Sequence, residues 1–156
     1  MANYKRIFID NYSYFITVVT HQRNPILIDN IELLRKAFAH SKTQYSYQIH
    51  AIVILPEHFH MIITPQYAKE YPKILSAIKR YFSRHCQEHY YHHLSQSISR
   101  ENRGLKPIWQ KRFYEHTIRD AKDMHEKMQY IYQNPCKHQY TDDPKKWTYS
   151  SFNKTP

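Results

Sequence analysis

Ile52-Val53-Ile54-Leu55-Pro56-Glu57-His58-Phe59-His60-Met61-Ile62-Ile63 is the stretch on which the fold of this chain turns. Each half is short, apolar and rich in β-branched residues, and Pro56-Glu57 separates the halves. The pattern predicts two strands rather than a surface helix. A connection this tight makes the pair an antiparallel hairpin. Residues two apart on a strand share a face, so His58 and His60 look one way and Phe59, Met61 and Ile63 the other. Two neutral imidazoles side by side can chelate one divalent ion. A half-exposed strand with histidines facing water is the better reading of the tripeptide taken alone, in a chain that has 12 histidines.

Outward from the hairpin, Tyr12 to Thr20 is aromatic and β-branched and reads as a first strand. Asp29 and Glu32 suggest a capping box for a helix ending near Gln44, with Ile31, Leu34, Ala37, Phe38 and Ser41 at helical spacing. Tyr47 to Leu55 and His58 to Thr64 are the hairpin strands. Pro72 suits the first turn of a second helix, whose apolar stripe is Ile74, Leu75, Ile78, Tyr81, Phe82 and His85. Tyr90 to Lys106 reads as a long loop, and Trp109 to Arg119 as a fourth strand. Asp120 to Asp123 offers caps for a third long helix, with Met124, Met128 and Ile131 buried. Glu126, Tyr130 and Asn134 share a neighbouring face at i, i+4 and i+8, and Pro135 is expected to stop the helix. The aromatic tail from Pro144 to Phe152 is expected to pack back on the domain.

The order β-α-β-β-α-β-α is α+β: a ferredoxin-like or RRM-like sandwich. It comprises a four-stranded antiparallel sheet, two helices packed on one face and an added C-terminal helix. If Phe59, Met61 and Ile63 meet the two packing helices, His58 and His60 face the open side, where the added helix can bring Tyr130 and Asn134. One domain over residues 1–156 is expected.

A formal charge of +10 and a pI near 9.5 imply an anionic partner, nucleic acid foremost. No stretch is long enough to span a membrane and no apolar signal core opens the chain, so a cytoplasmic protein without a membrane partner is expected. Cys86 and Cys136 are isolated, which excludes a disulfide scaffold or thiolate zinc site. With Gly104 as the sole glycine, neither a phosphate-cradling loop nor a dinucleotide fingerprint can form. Lys79, Arg80, Arg84, Lys111, Arg112 and Arg119 are candidates for backbone contacts to DNA, although charged helix faces are often simply solvated.

Four segments in this order resemble the HUH single-tyrosine transposases, most closely the REP-associated tyrosine transposase branch. They are Leu55-Pro56-Glu57-His58-Phe59-His60, Trp109-Gln110-Lys111-Arg112-Phe113-Tyr114, Tyr130-Ile131-Tyr132-Gln133-Asn134-Pro135 and Trp147-Thr148-Tyr149-Ser150-Ser151. Glu57 departs from the family, which often has Asn there. The resemblance implies that Tyr130 is the catalytic nucleophile and that His58, His60 and Asn134 are metal ligands for Mg²⁺ or Mn²⁺. It also implies a protein that acts on single-stranded DNA at REP-type hairpins, a monomer as in the REP-associated branch, with the dimer of the insertion-sequence relatives as the alternative. Attack by Tyr130 would join a 5′ phosphate to the protein and release a 3′ hydroxyl, conserving the bond so that rejoining needs no ATP. Glu126, one turn before Tyr130, could assist proton movement or simply face solvent. Two alternatives remain at this level: a non-catalytic sheet that stacks bases, and a metal nuclease that activates water and spares Tyr130.

Overall fold

The computed structural model describes residues 8–153. Residues 1–7 and 154–156 lie outside it, and with them the two ends of the expected 1–156 domain and the first part of the segment read for a signal core.

Strands β1 (Tyr14–Val19), β2 (Tyr47–Ile54), β3 (His58–Pro65) and β4 (Tyr114–Thr117) form one sheet in the order β2-β3-β1-β4. Every neighbouring pair is antiparallel, as expected of the ferredoxin-like arrangement. The helices are α1 (Ile31–Gln44), α2 (Tyr71–His85), the short α3 (Ile98–Asn102) and α4 (Ala121–Lys137).

Strand alternation divides the core. Tyr14, Ile16 and Val18 of β1 join Phe59, Met61 and Ile63 of β3 in a cluster with Leu34 of α1 and Ile74, Ile78 and Phe82 of α2. Phe15, Ala51, Val53, Leu55 and Ile62 point the other way and meet Ile131 of α4. The sheet is thus covered on both faces, and His58 through Ile63 are all buried. The main chain closes the hairpin: Leu55 N–H donates to the His58 carbonyl at 2.8 Å.

Four local expectations are corrected. The capping box at Asp29 is not formed: Asn30 holds the cap position of α1 without a side-chain cap, and its amide donates to the Ile26 carbonyl instead. The stretch 90–106 is not loop throughout, because Ser97 caps α3 by accepting from the Arg100 N–H. The fourth strand is shorter than 109–119; Trp109 makes only an isolated bridge to Thr20. Pro135 does not stop α4, which runs to Lys137. Proline in the last turn removes one N–H donor and leaves the helix after it intact, and His138 N–H still reaches the Asn134 carbonyl at 3.1 Å.

The tail packs back as expected, along the outer edge of β2. Ile54 N–H donates to the Tyr149 carbonyl, Ile52 N–H to Ser151 Oγ, and Trp147 Nε1 to the Ile54 carbonyl. These bonds occupy backbone groups that an open edge would expose. No helix among the described residues is long and apolar enough to cross a membrane.

Candidate active site

His58 and His60 stand on β3 opposite Val19 and Thr17 of β1, on the face that α4 covers. Both are buried, at 3% and 4% exposure. A partner engages the Nδ1 atom of each ring. His58 Nδ1 donates to Glu57 Oε1 at 2.8 Å, and His60 Nδ1 shares a 2.7 Å hydrogen bond with Thr17 Oγ1. Nε2 is therefore the nitrogen each ring has left for a ligand. Burial pushes the His58 pKa down, the Glu57 charge and hydrogen bond push it back, the nearby His138 lowers it again, and Asn134 raises it; the net shift is downward. Burial, then the charges of His58, His138 and Lys137, push His60 down to about 3. Both rings are neutral at neutral pH, the state that binds metal.

α4 carries the rest. Asp120 caps it by accepting from the Asp123 N–H, and the Asp123 carboxylate accepts from the Arg119 N–H and from His116 of β4. That network fixes the start of the helix against the sheet. Two turns on, Tyr130 meets His60 edge to face at 5.2 Å and Phe15 at 5.7 Å between ring centroids. Asn134 is fully buried, one turn further and beside His58. His60 Nε2 has no hydrogen-bond partner among the described residues, and the buried Asn134 amide makes no well-formed hydrogen bond beyond its approach to the His58 ring. A buried polar group left unpaired costs about 1–3 kcal/mol, a cost that a ligand bound at this spot would remove. Among the described residues no three His, Cys, Asp or Glu side chains are set to hold a metal. The donor set here is instead two imidazoles and an amide oxygen, which suits a divalent ion between the hard and borderline classes.

His58, His60 and Tyr130 border a cleft of about 660 Å³ that is also lined by Arg23, Glu126 and Lys127, while Asn134 is buried and is not part of its lining. The structure thus brings together His58, His60, Tyr130 and Asn134. It also supplies residues that sequence reasoning missed. Lys137 Nζ donates to Tyr130 Oη at 3.1 Å, and His138 packs on His58 with centroids 4.9 Å apart. Lys137 lies two turns after Tyr130 on the same face, visible only if the helix is carried through Pro135. Tyr140 donates to Glu57 Oε2 at 2.5 Å; burial, followed by the Glu57 hydrogen bond and charge and opposed by Arg23, pushes its pKa up to about 12.

The DNA-contact candidates divide. Lys79, Arg80, Arg84 and Lys111 line a second groove of about 400 Å³ between α2 and the segment that carries α3. Arg100, Arg103 and Lys106, unremarked in the sequence, complete its basic lining. Arg112 lies outside the groove, and Arg119 borders a shallow pocket near the start of α4.

Comparison with known proteins places this geometry in context. Residues 8–134 match the family model described as "Transposase IS200 like". A Haemophilus influenzae protein whose name assigns it to the REP-associated tyrosine transposases is 35% identical, over 99% of this chain and 87% of its own length. The REP-associated tyrosine transposase of Escherichia coli is 33% identical, over 99% of this chain and 84% of its own. A solved structure of a REP-associated tyrosine transposase bound to a REP hairpin superposes with a TM-score of 0.79 at 32% identity. It covers 97% of this chain and 83% of that one.

Proposed function

This chain belongs to the IS200-like transposase family, in its REP-associated tyrosine branch, enzymes of DNA cleavage and strand transfer. On that premise we propose that it cuts and rejoins single-stranded DNA at REP-type hairpins through a 5′-phosphotyrosine link at Tyr130. The observation that carries the reading is the buried, unpartnered Nε2 of His60 and the buried amide of Asn134, set beside Tyr130 and His58.

In this reading His58 Nε2, His60 Nε2 and Asn134 Oδ1 hold a divalent ion, Mg²⁺ or Mn²⁺. When bound, the ion supplies Lewis-acid charge withdrawal from the phosphoryl oxygens and a template for the phosphate. The Tyr130 oxygen gives its proton to solvent and forms the bond to phosphorus, the bond to the 3′ oxygen breaks, and that oxygen takes a proton from solvent and leaves as a hydroxyl. A phenol with an ordinary pKa near 10 is a weak nucleophile at neutral pH. Lys137 helps by placing an ammonium at the attacking oxygen. Thr17 and Glu57 keep the two imidazole rings in position. Rejoining runs the step backwards from the released hydroxyl.

The basic groove beside α2 holds the hairpin stem by its phosphates, which positions the strand without reading it. The chain acts as a single-domain monomer, since its own α4 brings Tyr130 to its own histidine pair and no partner helix is needed.

The test is a denaturing gel of the protein with labelled hairpin DNA carrying a single-stranded foot, in Mn²⁺. A protein-linked DNA band is expected, absent in Tyr130→Phe and absent with chelator. Cleavage without such a band would sink the tyrosine mechanism in favour of attack by water.

A further inference from the structure

We propose that Glu57 is a positioning residue for His58, itself held by Tyr140 and Arg23, and that its carboxylate sets the affinity of the site for a divalent ion. The inference rests on the reading of His58 as a ligand. Glu57 is 8% exposed, although it occupies a tight turn between two strands. One oxygen accepts from His58 Nδ1 at 2.8 Å and the other from the Tyr140 hydroxyl at 2.5 Å, with the Arg23 guanidinium 3.9 Å from the first. Its own carbonyl accepts from the Thr20 N–H at 2.9 Å and from the Thr20 hydroxyl at 3.0 Å, so the turn cannot swing away. A buried carboxylate is costly unless it is paired. This one is paired to the ring that faces the cleft and to the segment that follows α4.

The chemistry follows from the contacts. A carboxylate only accepts, so His58 must carry its proton on Nδ1, which leaves the Nε2 lone pair for a cation. The negative charge behind the ring makes that lone pair a stronger donor. His60 has only a neutral hydroxyl, Thr17, in the equivalent place, so the two imidazoles are unequal ligands and Glu57 makes the difference. Tyr140 keeps the carboxylate turned towards the ring. It is placed to do so by the end of α4, where its N–H returns to the Pro135 carbonyl at 2.9 Å. Asn134 and His58, from different elements, are thereby tied through Tyr140 and Glu57.

The experiment titrates Mn²⁺ into the full-length, DNA-free protein and reads free ion by electron paramagnetic resonance. Glu57→Gln keeps the shape and removes the charge; Mn²⁺ affinity is expected to fall about 10- to 100-fold. Glu57→Asp should recover part of the loss, and Tyr140→Phe should weaken binding severalfold while leaving the carboxylate in place. Circular dichroism melts of the metal-free variants show that each is folded, and Tyr140→Phe carries the test should Glu57→Gln fail to fold. Mn²⁺ affinity within twofold of wild type in Glu57→Gln, or in Tyr140→Phe where that variant carries the test, overturns the inference. His58→Ala separates the two levels. If it abolishes binding while Glu57→Gln stays within twofold of wild type, the positioning role alone fails. If His58→Ala binds as wild type does, the ligand reading fails and this inference falls with it.

Discussion

Lys137 stands two helical turns beyond Tyr130, with its ammonium 3.1 Å from the phenolic oxygen and 4.7 Å from the ring centroid. A positive charge at an oxygen that gains negative charge as it loses its proton is worth most in the transition state. Lys137→Met should therefore slow formation of the covalent band about 100-fold, the lower end of the range for a charge-stabilising donor. Hairpin affinity in a native gel should change less than about twofold; an equal loss of both would assign Lys137 to binding. Asn134 gives the opposite kind of prediction. Its amide is fully buried without a well-formed hydrogen bond, only an approach to the His58 ring, so it costs stability in the metal-free protein. Asn134→Leu, of similar volume, should raise that protein's melting temperature by about 2–8 °C, the equivalent of about 1–2 kcal/mol. The same substitution should abolish the further rise that Mn²⁺ gives to wild type. A variant that melts lower would mean that Asn134 has a structural partner.

Helix α4 is the element that turns a sheet with two histidines into a site, and its two ends are built differently. At its start Asp123 accepts from His116 at 2.8 Å, from the Arg119 N–H at 3.0 Å and from Lys127 at 3.3 Å. Burial alone would raise the Asp123 pKa; the His116 hydrogen bond and charge, the Arg119 N–H and Lys127 outweigh it and hold the carboxyl below its usual 3.8. A depressed carboxylate contributes stability above its unfolded pKa, which is lost as pH falls through the lower folded value. Asp123→Asn should cost about 1–2 kcal/mol at pH 7. In urea unfolding, wild type should lose more stability than the variant between pH 5 and pH 2; parallel losses would remove Asp123 from the account. At its far end α4 closes with Gln139 in the left-handed region, at φ 62°, with Gln139 N–H on the Cys136 carbonyl and Tyr140 N–H on that of Pro135. That closure explains what could be read in advance. The hairpin, the stripe of α2 and the Tyr130–Asn134 face were legible because strand and helix periods declare themselves over several residues. The continuation past Pro135 was not, because proline forbids only its own hydrogen bond and a non-glycine residue supplies the turn. Lys137, His138 and Tyr140 went unseen with it. The Ser97 cap of α3 and the missing cap of α1 are single side-chain choices, which periodicity does not reveal.

At the scale of the molecule, the cleft and the basic groove meet at one end of β1. Val19 borders the cleft and pairs with His58, while its carbonyl accepts from the N–H of Gln110, a residue of the groove, at 2.9 Å. In the proposed reading, a strand leaving the cleft past β1 would meet the groove lined by Lys79, Arg80, Arg84 and Lys111 and by the three cations of the segment around α3. Four of the groove's cations are already tied to main-chain carbonyls: Lys79 to Gln110, Arg100 to Trp109, Arg103 to Ser99 and Lys106 to Ser83. They stiffen its walls and keep positive charge along it. Arg80, Arg84 and Lys111 are thus the better probes of phosphate contact. Each phosphate neutralised contributes about one unit to the slope of log affinity against log salt. Replacing all three by Gln should lower the slope for a hairpin substrate by about two to three units. It should leave covalent capture of a short, stemless strand near wild type, because Tyr130 and its neighbours are untouched. An unchanged slope would place the stem elsewhere on the surface, while a slope and capture lost together would mean that groove and cleft hold the same stretch of DNA.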